Sequence, residues 1–160
     1  MRDARGLPKV AEVLAPILGR VRREQQPLLI AIAERMAAER YRSWAKEADL
    51  RAHRSELLAC AAREEEIAGR IEALFPDAAT IQSELLAGSP EVEGINRDLF
   101  AGRPPSEQLT LQAEGERLGA ATWRAFAAET SGPARETFQA CALLEEESAV
   151  VLETILERAR

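Results

Sequence analysis

The segment ACAAREEEIA at residues 59–68 returns as ACALLEEESA at residues 140–149. Laying 57–74 over 138–155 matches Ala59 with Ala140, Cys60 with Cys141 and Ala61 with Ala142. The same register matches Glu64, Glu65 and Glu66 with Glu145, Glu146 and Glu147, then Ala68 with Ala149 and Glu72 with Glu153. Upstream, AERMAAERYRSWAKE at 33–47 lies over EGERLGAATWRAFAAE at 114–129. Here Glu34 falls on Glu116, Arg35 on Arg117, Tyr41 on Trp123, Trp44 on Phe126 and Glu47 on Glu129. The offset between the two blocks differs by one residue, as a connecting turn of different length produces. The chain reads as two copies of one helical hairpin.

Composition agrees with a single soluble domain. The chain has 160 residues, 46% of them hydrophobic and 30% charged, which is ordinary for a globular protein long enough to bury one core. Ala, Leu, Glu and Arg dominate and aromatics are scarce, so helix formers prevail almost everywhere. A net charge of -6 argues against a nucleic-acid surface, which needs clustered Lys and Arg. No apolar run approaches the roughly 20 residues of a membrane helix, and MRDARGLPKV lacks the apolar segment of a signal peptide. Two cysteines inside helices, with no secretory signal, point to a reducing cytoplasm. There is no Gly-rich phosphate loop and no Cys-x-x-Cys pair, and one histidine leaves no nucleophilic triad to assign. No catalytic or organic-cofactor residue is therefore assigned.

In chain order, residues 1–6 read as frayed and 7–22 as a short leading helix kinked or ended at Pro16. Pro27 suits the first turn of a long helix running to about residue 48, and Asp49 is a plausible cap for a second helix over about 50–75, stopped at Pro76. Together 27–75 form the first hairpin. Residues 76–105 carry Gly88, Pro90, Gly94, Gly102, Pro104 and Pro105, and read as a crossover with one or two short helices packed outside. Ser106 is expected to cap a third long helix to about 130, and Ser131-Gly132-Pro133 breaks the chain before a fourth to about 157. The second hairpin is 106–157, and 1–160 is one domain.

Glu34 and Glu64 each lie fifteen residues from a turn near Asp49, so an antiparallel hairpin sets them at one height, about 22 Å from the turn. Glu116 and Glu145 flank Ser131 by fifteen and fourteen residues, with the same result. Each acid falls on an apolar stripe: Ile30, Glu34, Ala37, Tyr41 and Trp44 on one helix, Leu57, Cys60, Glu64, Ile67 and Ile71 on the next. Four glutamates are thus expected to meet in the middle of one bundle. Glu65, Glu66, Glu146 and Glu147 read as solvated, and Arg35 and Arg117 point about 100° away from the acids they follow.

A Glu seven residues before a Tyr, then A-x-x-E-x-x-H on the next helix, the whole repeated, is the pattern of ferritin-like di-iron carboxylate proteins. This text most resembles the rubrerythrin branch. AERMAAERY supplies Glu34 and Tyr41; GERLGAATW supplies Glu116, with Trp123 in place of the usual Tyr. AAREEEIA supplies Glu64 but has Ile67 where that family has histidine, and ALLEEESA supplies Glu145 but has Ser148 there. The resemblance covers about 27–157. It implies an all-α, ferritin-like four-helix bundle of two repeated hairpins, with a short N-terminal helix and a long crossover. It also implies a di-metal site at Glu34, Glu64, Glu116 and Glu145, holding iron or manganese for redox or peroxide chemistry, and degenerate here because both nitrogen ligands are replaced.

Such a site is built from carboxylates and Glu-x-x-His pairs on facing helices. Four carboxylates neutralise two divalent cations, and without imidazole they favour hard ions and bind them more weakly. His53 is about 16 Å along its helix from Glu64, too far to stand in, and reads as a solvated residue near a helix start. Cys60 and Cys141 are expected on opposite sides of the glutamate layer, roughly 12 Å apart, as small core residues and not a disulfide. Tyr41, Trp44, Trp123 and Phe126 read as core, with Tyr41 in reach of a carboxylate. The metal-free alternative is a polar core of protonated or water-bridged glutamates, since unpaired buried carboxylates are prohibitive. On that reading the bundle is non-catalytic and serves as a dimerisation or ligand-binding module. A homodimer is the expected assembly on either reading, because dimers are the commonest one.

Overall fold

The computed structural model describes Arg2 and residues 6–159. Among these the chain is all-helical, with seven α-helices and no strand; one isolated bridge joins Arg2 to Pro8. Most of the expected frayed segment 1–6 lies outside the described residues.

α1, Val10–Leu18, runs through Pro16 and stops two residues later. Its last carbonyl, of Leu18, accepts from Gln26 Nε2 at 3.0 Å, and the same amide reaches the Val21 carbonyl in the following turn at 3.2 Å. After a 3₁₀ turn over Arg23–Gln25 comes α2, Gln26–Trp44, with Pro27 in its first turn. Two sequence expectations fail in the next connection. α2 ends at Trp44, short of residue 48, and Ala48–His53 is a 3₁₀ segment with Asp49 exposed inside it. α3, Arg54–Glu72, is preceded by His53 and has no side-chain cap.

The crossover holds α4, Ala78–Gly88, and α5, Glu91–Leu99. α6, Pro105–Glu129, starts on Pro105 itself. Ser106 is thus inside the first turn and does not cap. A proline at this position loses nothing, since its missing N–H would have had no helical partner. α7, Gly132–Arg158, follows after two residues, and Gly132 makes that reversal with φ at 62°, a conformation costly for any residue with a Cβ.

α2 packs along α3, and α6 along α7. Both pairs are antiparallel, as their outer ion pairs show. Arg35 reaches Glu65 and Glu72 while Arg42 reaches Glu65. On the other pair Arg117 meets Glu153 and Arg124 meets Glu146. These bonds are solvent-exposed and contribute little individually.

The two pairs join unequally. α3 and α7 approach backbone to backbone, and both bury small residues: Ala61, Ala68, Ala142 and Ala149. α2 and α6 stand farther apart and are bridged by long side chains. Trp44 Nε1 donates to Gln108 Oε1 at 2.8 Å, and Arg40 Nε to Gln112 Oε1 at 3.0 Å. α1 and α5 lie outside this wider seam.

The interior has two main apolar clusters. One gathers Tyr41, Trp44, Leu57, Cys60, Leu109 and Leu152; the other gathers Leu28, Ile67, Ile71, Trp123, Phe138 and Cys141. Between them, in each long helix, comes one glutamate.

Candidate metal centre

Each acid occupies the point where its helix passes from one apolar cluster to the other. Glu64 follows Cys60 and Ala61 of the first cluster and precedes Ile67 and Ala68 of the second. Glu145 follows Cys141 and Ala142 of the second and precedes Leu152 of the first. All four are buried: Glu34 is 8% exposed, Glu64 0%, Glu116 1% and Glu145 2%.

Glu34, Glu64 and Glu145 each bring a carboxylate oxygen within 4.8 Å of the other two, the separation a shared cation spans. Glu116 stands beside them but is tethered. Its Oε1 accepts from Tyr41 Oη at 2.5 Å and from Gln112 Nε2 at 2.7 Å. Glu145 Oε1 accepts from Trp123 Nε1 at 2.9 Å. Glu64 Oε1 accepts from Ser148 Oγ at 3.4 Å, and Arg63 Nε donates to that same hydroxyl at 3.1 Å. Among the described residues two side-chain oxygens, Glu64 Oε2 and Glu116 Oε2, are buried with no hydrogen-bond partner. Carboxylate oxygens orphaned among other carboxylates require a proton or a cation between them.

The electrostatics state the same demand. Burial pushes the Glu34 carboxyl up to about 7; the closeness of the Glu64 and Glu145 carboxyl groups opposes the rise and the Glu116 charge adds to it. Burial, then the charges of Glu116 and Glu34, raises Glu64 well above the carboxylate range. Burial and then Glu34 and Glu116 do the same to Glu145. Arg40 is a buried cation beside the acids; burial lowers it to about 10, and the charges of Tyr41, Glu116, Glu64 and Glu34 oppose the fall. Its guanidinium is spent on Gln112, on Asn96 Oδ1 at 2.8 Å and on the face of Phe100 at 3.9 Å. It makes no direct bond to the acids.

Gly119 completes the cage. A Cβ there would overlap the Glu145 carboxylate, meeting even its farther oxygen at 3.0 Å, so the glycine is what allows that acid its position.

Of the four acids singled out in the sequence, the fold groups three and holds the fourth beside them by two donors. Tyr41 does bond a carboxylate, that of Glu116 on the other hairpin. Ile67 is packed in apolar core at 0% exposure, and Ser148 turns its hydroxyl to Glu64. Cys60 and Cys141 are free, buried and in different clusters, and burial raises both thiols, Cys141 to about 12. His53 is partly buried against Glu56, its Nδ1 at 2.9 Å from the carboxylate, and so is less solvated than its position suggested. Sequence reasoning missed Arg40 and Gln112. Gln112 had a usable signal, since it stands one turn before Glu116 on the same face.

Comparison with protein-family models, with curated proteins and with solved structures finds no match.

Proposed function

We propose that the chain is a ferritin-like carboxylate bundle that binds a divalent cation, iron or manganese, through Glu34, Glu64 and Glu145, with Glu116 as a fourth acid at its edge. The observation that carries this reading is the set of three buried carboxylates with oxygens within 4.8 Å, one of which, Glu64, keeps an orphaned oxygen. An all-oxygen donor set suits hard cations. Bound iron or manganese would supply redox chemistry. The residues themselves orient the acids: Trp123, Ser148 and Tyr41 each fix one oxygen of a carboxylate and leave the other for the cation. The repeated hairpin text and the one-acid-per-helix arrangement support the ferritin-like assignment.

A second reading has its own observation. Ile67 and Ser148 stand where that family has nitrogen ligands, and Ile67 is wholly apolar in its surroundings. On this reading the glutamates share protons, and the bundle is a metal-free dimerisation or ligand-binding module.

Metal analysis of protein purified without chelator separates the two. The cation reading expects about one equivalent or more of metal in the wild type, lost in Glu64→Ala. A metal-free wild type whose Ile67→His variant gains metal would retire it in favour of the second.

A further inference from the structure

Between α1, α2, α5 and α6 lies a chamber of about 140 Å³. Its walls are apolar, with Leu14 and Ile17 from α1, Leu29 from α2, Val92 and Ile95 from α5, and Leu111 from α6. Its polar end is formed by Glu34, Glu116 and Glu145, with Arg40 and Gln112 beside them. Glu34 is the most exposed of the four acids. It also accepts no hydrogen bond from any tyrosine, tryptophan, serine or glutamine among the described residues, although each of the other three acids does.

We propose that this chamber binds a small molecule with a short apolar tail and one hydrogen-bond-donating head, an alcohol or an amine, the tail among Ile17, Leu29, Val92 and Ile95 and the head on Glu34. The volume sets the size, since a cavity of about 150 Å³ lined by Leu, Ile and Phe takes up benzene. The wall sets the tail: apolar cavities of this size favour apolar guests. The acids set the head. Three carboxyl groups against one guanidinium, itself engaged by Gln112 and Asn96, accept a donor and reject a carboxylate. This goes beyond the cation reading and stands without it, because the walls are built by α1 and α5, whatever lies among the acids.

The test uses chelator-treated full-length protein with 1-hexanol, hexylamine and hexanoate, read by calorimetry. Saturable binding of hexanol or hexylamine is expected, with hexanoate at least about tenfold weaker. The hexanol and hexylamine arms tell a neutral head from a cationic one. Gly115→Leu places a side chain where a Cβ meets nothing within 4 Å, on the chamber wall. It should weaken binding about tenfold or more while metal uptake stays at the wild-type level. Ile95→Phe fills the chamber from α5 and should do the same, so a folding defect in one variant leaves the other to decide. No saturable binding of either donor-headed probe, hexanoate binding as tightly as they do, or unchanged binding in the folded filling variants would overturn the proposal. Because the probes are measured without metal, failure here and failure of the cation reading are separate results.

Discussion

At residue 119 a hydrogen atom in place of a methyl group decides where a carboxylate sits. Gly119→Ala pushes on the far end of Glu145, a side chain able to swing. We therefore expect the damage in the cluster more than in the fold: divalent-cation affinity about tenfold lower by titration, with melting changed by only a few degrees. Tyr41→Phe acts otherwise. It takes one of two donors from a buried acid, and a loss of about 2 kcal/mol, a fall of roughly 4–8 °C in Tm, is expected by thermal unfolding. The four acids were legible in the sequence because each has a counterpart in similar text, Glu34 with Glu116 and Glu64 with Glu145, in matching apolar surroundings. Their partners were not, because Tyr41 bonds Glu116 across the hairpins, and no periodicity within a helix reports a contact between helices. Gln112 and Arg40 have no counterparts in the other hairpin: Ile30 and Thr122 stand at the matching positions under the offset that sets Glu34 on Glu116.

Among the elements, the four long helices, the helical crossover and the proline starts at Pro27 and Pro133 followed from the sequence, whereas the two expected caps did not. Asp49 and Ser106 carry the usual capping chemistry, yet one falls in a 3₁₀ segment and the other one residue inside a proline start. Local chemistry offered caps that the turns did not use. Asp49→Ala should therefore change stability by less than about 0.5 kcal/mol in denaturant unfolding, where loss of a working cap would cost about 1 kcal/mol. Pro16 teaches the complementary lesson. α1 runs on for only two residues past it, and Gln26 ties down the turn that follows through the carbonyls of Leu18 and Val21.

For the whole molecule, the acid layer makes stability a function of pH. Glu34, Glu64 and Glu145 keep their protons to higher pH folded than unfolded, so folding takes up protons and stability falls as pH rises. Metal-free protein should lose a few kcal/mol, roughly 5–10 °C in Tm, between the ordinary carboxylate range near 4.5 and the Glu34 value of about 7. Added manganese should restore the loss most fully at the higher pH, where it no longer competes with protons. A Tm that instead rises over that interval without metal would contradict shared protons in the layer.

The unequal seams predict unequal resistance to local opening. Where α3 meets α7, the helices approach closely and bury alanines; where α2 faces α6, hydrogen bonds from Arg40, Tyr41 and Trp44 span the wider gap. Amide exchange should then be fastest in α1 and α5 and slowest along α3 and α7.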